Sequence, residues 1–253
     1  MSLNRFDLSG KVAIVTGCNT GLGQGMAVAL AQAGADVVGV NRSAATETAA
    51  EVTALGRRFH DIRTELSDLA VLQPVIEEAC QTFGHIDILV NNAGIIRRAD
   101  ALDFSEQDWD AVIDLNLKSV FFLSQAAARR FIAQGSPGKI INIASMLSFQ
   151  GGVRVPSYTA SKSGLLGLTR LLACEWAAHR INVNAIAPGY MVTHNTAALR
   201  DDEKRSAEIL GRIPANRWGV PEDLAGPVVF LASAASDYVN GYALAVDGGW
   251  LAR

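Results

Sequence analysis

Within SYTASKSG, residues 157–164, a tyrosine and a lysine stand four residues apart, at Tyr158 and Lys162. Residues at i and i+4 share one face of a helix, so this spacing brings a phenol beside an ammonium. A phenol alone, with a pKa of about 10, is a poor base near neutrality. A neighbouring positive charge favours the phenolate and lowers that pKa, which makes the pair an acid/base unit able to exchange a proton with an alcohol or ketone. A second chemical signal is TGCNTGLG, residues 16–23. Gly17 permits a tight turn, Gly21 lets backbone approach an anion and Gly23 allows close packing, so free N–H groups at a helix start can face a pyrophosphate. A compact strand-to-helix turn with no ligand is the other reading of the same glycines. The spacing is GxxxGxG rather than the GxGxxG of the usual dinucleotide fingerprint.

To hold these groups the chain must place a strand before each turn. VAIVTG (12–17) is a short apolar run, residues 25–34 read as an alanine-rich helix, and DVVGV (36–40) is a second strand. Similar runs recur at 86–94, 139–145, 180–189 and 242–249, separated by helical stretches at 108–134, 157–178 and 221–233. Near-continuous apolar strands alternating with helices predict an α/β fold: a single-domain, doubly wound parallel sheet, Rossmann-like, with helices on both faces. No repeat or linker divides residues 1–253. The polar, charge-rich segment 193–218 interrupts the strand rhythm and reads either as a substrate lid or as a solvated surface excursion.

Composition narrows the partners. Against 22 Lys and Arg stand 25 Asp and Glu, a formal net charge of -3, so no global field draws nucleic acid or an anionic membrane. Cys18, Cys80 and Cys174 are odd in number and form no CxxC or Cys/His cluster, which points away from a disulfide framework or metal site and towards a reducing cytoplasm. The first residues lack the pattern of a secretory leader and no apolar run reaches about 18 residues, so a soluble chain acting on a small molecule is expected.

Taken in order, TGxxxGxG near the start, NNAG at 91–94 and YxxxK at 158–162 resemble the short-chain dehydrogenase/reductase family, over essentially the whole chain. The resemblance implies hydride transfer between an alcohol carbon and a nicotinamide, with Tyr158 as acid/base. It further implies that Ser145 hydrogen-bonds the substrate oxygen, that Lys162 also holds the nicotinamide ribose, and that Asn116 supports a proton relay reaching Lys162. For the dinucleotide it implies Gly17, Asn19, Thr20, Gly21, Leu22 and Gly23 in the turn. Asn91, Asn92, Ala93 and Gly94 would lie beside the adenine ribose, and Ile186, Pro188, Gly189, Met191 and Thr193 towards the nicotinamide. At the adenine pocket Glu65 and Leu66 stand where the family often has Asp before an apolar residue.

Selectivity should be set just after the second strand, where a carboxylate bonds a ribose 2′-hydroxyl and repels a 2′-phosphate. Here the chain has Asn41 and Arg42, which favours NADP locally, whereas Thr20 lacks the basic character of many NADP-using turns. The wider pattern, including GHIDILVNNAGIIRR and IASMLSFQGGVRVPSYTASKSG, resembles the branch of the family that acts on sugar acids, 2-dehydro-3-deoxy-D-gluconate or 2-deoxy-D-gluconate, and implies NAD. Either cofactor remains open, with NAD favoured. A carboxylate-bearing substrate calls for Arg or Lys and hydrogen-bonding side chains. Gln150 and Arg154 between the two catalytic groups, Met146 as an apolar wall, and His194 or Arg97 are the candidates. Two alternatives stand beside this reading. One is a 3-oxoacyl carrier-protein reductase docking through Arg129, Arg130 and Arg170; the other is a dinucleotide-sensing interaction protein without turnover. The family resemblance also implies a homotetramer, for which the helices around 108–134 and 158–178 supply apolar faces.

Overall fold

The computed structural model describes residues 3–253, the side chains of Leu3 and Asn195 excepted. Seven parallel strands form one sheet in the order β3-β2-β1-β4-β5-β6-β7. They are β1 (Val12–Thr16), β2 (Asp36–Asn41), β3 (Phe59–Arg63), β4 (Ile88–Asn91), β5 (Gly138–Ile143), β6 (Ile181–Pro188) and β7 (Ala243–Val246). Strand order reverses between β1 and β4, and in such sheets the crevice beyond the carboxyl ends of the strands at this point is where ligands bind.

Alternation along each strand feeds two cores. Val12 and Ile14 of β1 face a layer built from α3 (Leu72–Phe83), α5 (Ser119–Gln134) and α6 (Pro156–Trp176). Ala13 and Val15 face the other layer, formed by α1 (Gly21–Gln32) and α9 (Ala225–Ala232). Phe131 of α5 is fully buried against Gly138, where any side chain would collide with the ring. The remaining helices are α2 (Thr46–Ala54), α4 (Glu106–Ile113), and two short pieces, α7 (Ala197–Asp201) and α8 (Glu203–Arg212), that rise within 193–218.

Three elements depart from the pattern read along the chain. Helix α1 begins at Gly21 rather than residue 25, because the glycines themselves make its first turn. The expected helix over 108–134 is two helices joined by a π turn at Asp114–Lys118, whose extra residue per turn re-aims Asn116. Strand β3 has no apolar run to betray it: FHDIR is an edge strand, half-exposed along most of its length. Among the described residues no helix is long and apolar enough to cross a membrane.

Candidate active site

Beyond the carboxyl ends of β1 and β4 lies a cleft of about 670 Å³, lined by every position named above for the dinucleotide except Asn91 and Ile186. Its floor is backbone. Gly17 and Gly21 have φ of +64° and +60°, values that suit glycine. A Cβ on Gly23 would run into the Gly17 carbonyl oxygen and come within 2.5 Å of Asn92 Nδ2. The Thr20 side chain makes no capping hydrogen bond, so the first N–H groups of α1 face the cleft without a side-chain acceptor. That cradle of backbone donors at a helix start fits a pyrophosphate.

Buried side chains brace the cradle from behind. Thr16 Oγ1 accepts from the N–H groups of Asn92 and Ala93, both at 2.9 Å, and Asn92 Nδ2 donates to the carbonyls of Thr16 and Gly17. Asn41, read from the sequence as a cofactor contact, is 3% exposed and bound on both sides. Its Oδ1 accepts from the N–H groups of Cys18 and Asn19, at 2.8 and 3.1 Å, and its Nδ2 donates to Asp61. Asn41 therefore holds the turn in shape. Asn91 points away from the cleft and donates to Ser124 and Asn142 in a buried network, which removes it as a ribose contact.

At the other end Ser145, Tyr158 and Lys162 line the same cleft. Pro156 opens α6, where its fixed φ is suited to the first turn, so Tyr158 and Lys162 fall on one face as their spacing requires. Burial pushes the Tyr158 phenol up from its ordinary value, while a hydrogen bond with the Ser145 hydroxyl and the charge of Arg98 work against that rise. Lys162 was expected to be the lowering charge. Instead its ammonium lies 5.7 Å from the ring centroid and donates to the Ile143 carbonyl at 2.5 Å. Burial brings Lys162 down to about 8. Ser148 ties the layers together: its hydroxyl donates to the Lys162 carbonyl at 2.7 Å and accepts from the Ser145 N–H. Asn116, fully buried behind Gly94, clamps Ile95 through both backbone groups at 2.8 and 2.9 Å and reaches Ser161 at 3.5 Å.

The substrate candidates disperse. His194 lines the cleft. Met146 is 5% exposed and packs with Ile209, Ile213 and Trp250 in a cluster that joins the segment after Ser145 to α8 and to the residues after β7. Gln150 is committed to the same junction: its Oε1 accepts from Arg212 at 3.3 Å and from the Trp250 indole at 3.2 Å, while the Arg212 guanidinium stacks 4.0 Å over that indole. Arg154, in the left-handed region at φ 64°, pairs with Asp100, and Arg97 pairs with Asp108. Arg98, which the sequence reading passed over, is the arginine whose charge acts on Tyr158. Only its place next to Arg97 in NNAGIIRR hinted at it. Arg130 is turned inward to Gln134 and the Gly84 carbonyl, which weakens the basic face considered for a carrier protein.

A family model described as enoyl-(acyl carrier protein) reductase matches residues 17–251. The chain is 70% identical to 2-dehydro-3-deoxy-D-gluconate 5-dehydrogenase of Escherichia coli, over all of this chain and all of that one. Among solved structures it is similar to a proposed 2-deoxy-D-gluconate 3-dehydrogenase from Agrobacterium tumefaciens with bound NADP, with 57% identity, a TM-score of 0.94, and 99% and 100% of the two chains covered. A gluconate 5-dehydrogenase from Burkholderia cenocepacia in complex with NADP and tartrate matches with 40% identity and a TM-score of 0.94 over 100% of both chains.

Proposed function

The chain belongs to the short-chain dehydrogenase/reductase family, and from that premise we propose an NAD(P)-dependent oxidoreductase that interconverts a secondary alcohol and a ketone on a sugar acid, 2-dehydro-3-deoxy-D-gluconate or a close analogue. The observation that carries it is the meeting, in one cleft, of a pyrophosphate cradle with Ser145, Tyr158 and Lys162. When bound, the dinucleotide supplies or accepts the hydride. The chain's own residues handle the proton and the orientation. In reduction Tyr158 Oη gives its proton to the carbonyl oxygen, and in oxidation it takes one from the hydroxyl. Ser145, which lines the cleft with that phenol, holds the reacting oxygen. Lys162, with a pKa of about 8, is mostly cationic at neutral pH and, anchored on the Ile143 carbonyl, takes the nicotinamide ribose hydroxyls. Asn116 acts through the backbone of Ile95, which it fixes beside the cleft.

For the substrate carboxylate the candidate is Arg98, the arginine whose charge acts on Tyr158. Residues 193–218 serve as the lid, with α8 held by Gln150 and Trp250. Half-exposed Trp109, Phe122, Ile132 and Leu171 on α4, α5 and α6 supply apolar surface for assembly as a homotetramer. The test is a screen in both directions, with NAD(H) and NADP(H), of 2-keto-3-deoxygluconate, its 2,5-diketo partner, 2-deoxygluconate and a 3-oxoacyl thioester. Turnover is expected on the sugar acids. Preference for the thioester would replace this reading with that of a carrier-protein reductase.

A further inference from the structure

The cleft ends, on the side away from Tyr158, at two opposite charges. Arg42 follows the last residue of β2, and Glu65 lies two residues beyond the last of β3. Parallel pairing sets Asn41 beside Arg63, and the Thr64 N–H donates to the Asn41 carbonyl at 2.8 Å, so the two strand ends run side by side into the cleft wall. There Arg42 Nη1 stands 3.7 Å from Glu65 Oε2, with side chains 70% and 48% exposed. The contact is a loose ion pair, without the two parallel hydrogen bonds that lock a guanidinium to a carboxylate. It is free to rearrange around a ligand.

The neighbouring polar groups are not free in this way. Both ends of the Asn41 amide hold the glycine turn and Asp61. The second oxygen of Asp61 accepts from the Ala45 N–H at 3.3 Å, and Asn19 donates to Ser43 at 3.0 Å. Among the described residues lining the cleft, the Asp, Glu, Lys and Arg side chains are Arg42, Glu65 and, at the far end, Lys162. The end of β2 therefore offers a ribose no carboxylate, and the carboxylate that stands in for it sits one strand further out, bound to the arginine.

We propose that Glu65 sets the balance between NAD and NADP by competing for Arg42. A 2′-phosphate must take the guanidinium from the Glu65 carboxylate, whereas a 2′-hydroxyl leaves the ion pair in place. The inference rests on the dinucleotide reading of the cleft. It makes Arg42 the phosphate ligand and Glu65 the residue that tempers it, so that neither cofactor is excluded.

Titration of the full chain with NAD+ and NADP+ at one fixed ionic strength, together with adenosine 5′-monophosphate and adenosine 2′,5′-bisphosphate as probes, tests the competition. Glu65→Gln is expected to tighten NADP+ and the bisphosphate by up to about fivefold, the size of an exposed ion pair, while NAD+ and the monophosphate stay within about twofold. Arg42→Gln is expected to weaken NADP+ about tenfold or more, as loss of a charged hydrogen bond to phosphate implies, and to spare NAD+. In the double variant the gain from Glu65→Gln disappears. Equal shifts for both nucleotides, no shift, or a gain that persists without Arg42 would overturn the proposal. Wild-type protein that binds neither dinucleotide would instead overturn the reading of the cleft, which separates the two failures.

Discussion

At the cofactor end the walls are backbone and buried amides: Gly17, Gly21 and Gly23 lie within seven residues of one another, and Thr16, Asn41 and Asn92 brace them from behind with hydrogen bonds of 2.8 to 3.1 Å. At the substrate end the walls come from afar. Gln150 meets Arg212 and Trp250 across 62 and 100 residues of chain, and Met146 packs with Ile209, Ile213 and Trp250. The first end is preformed because the side chains that brace the glycine turn are hydrogen-bonded within the fold, around N–H groups left open to the cleft. The second is held by a few contacts that can open singly, which suits the lid proposed for 193–218.

A substitution at the rigid end should act on the dinucleotide before anything else. Gly23→Ala forces a methyl group into the Gly17 carbonyl and the Asn92 amide. Overpacking of roughly 3 kcal/mol corresponds to about a hundredfold loss of cofactor affinity. Calorimetric titration checks it, and unchanged affinity would mean that the turn can yield. The same glycines were the part of the site most legible in the sequence, because a backbone that must approach a phosphate leaves a fixed spacing. The Tyr158 and Lys162 pair was legible for a related reason: helical periodicity alone puts them together. Gln150 illustrates the opposite case. Its position between Ser145 and Tyr158 suggested a substrate contact, and nothing along the chain said that Arg212 and Trp250 would claim its carbonyl oxygen. Likewise β3 was invisible as a strand, since an edge with one face in water needs no apolar run.

At the loose end the effect should be smaller and differently distributed. Gln150→Ala removes the acceptor shared by Arg212 and Trp250, worth about 1–2 kcal/mol, so KM for the sugar acid is expected to rise roughly fivefold to thirtyfold. Cofactor affinity should not change, and Trp250→Phe, which keeps the ring under Arg212 but loses the indole donor, should do less. Steady-state kinetics alongside cofactor titration reads both quantities. Equal losses in substrate and cofactor binding would show that the two ends are not independent.

Lys162 joins the two ends, and its burial shows in stability rather than in affinity. With its pKa held at about 8 against an ordinary 10.5, the unfolded chain binds more protons between those values. Stability conferred at this position therefore rises with pH through that window, and below it the folded state carries the full penalty, at most about 3 kcal/mol. Tyr158, raised above its ordinary 10, acts in the opposite sense at higher pH, so the comparison belongs below pH 10. Thermal unfolding of the cofactor-free protein should find Lys162→Met more stable than wild type at pH 7, by a margin that shrinks towards pH 10. A margin independent of pH would assign the gain to packing instead.

The separation of binding from proton transfer is tested most directly by Tyr158→Phe, assayed for turnover on 2-keto-3-deoxygluconate and for NAD(H) and NADP(H) affinity in the same preparation. The account predicts a fall in kcat of about a hundredfold to ten-thousandfold, the contribution of a positioned acid/base group, with cofactor dissociation constants unchanged. A variant that binds its cofactor normally and still turns over at a rate near that of the wild type would contradict it.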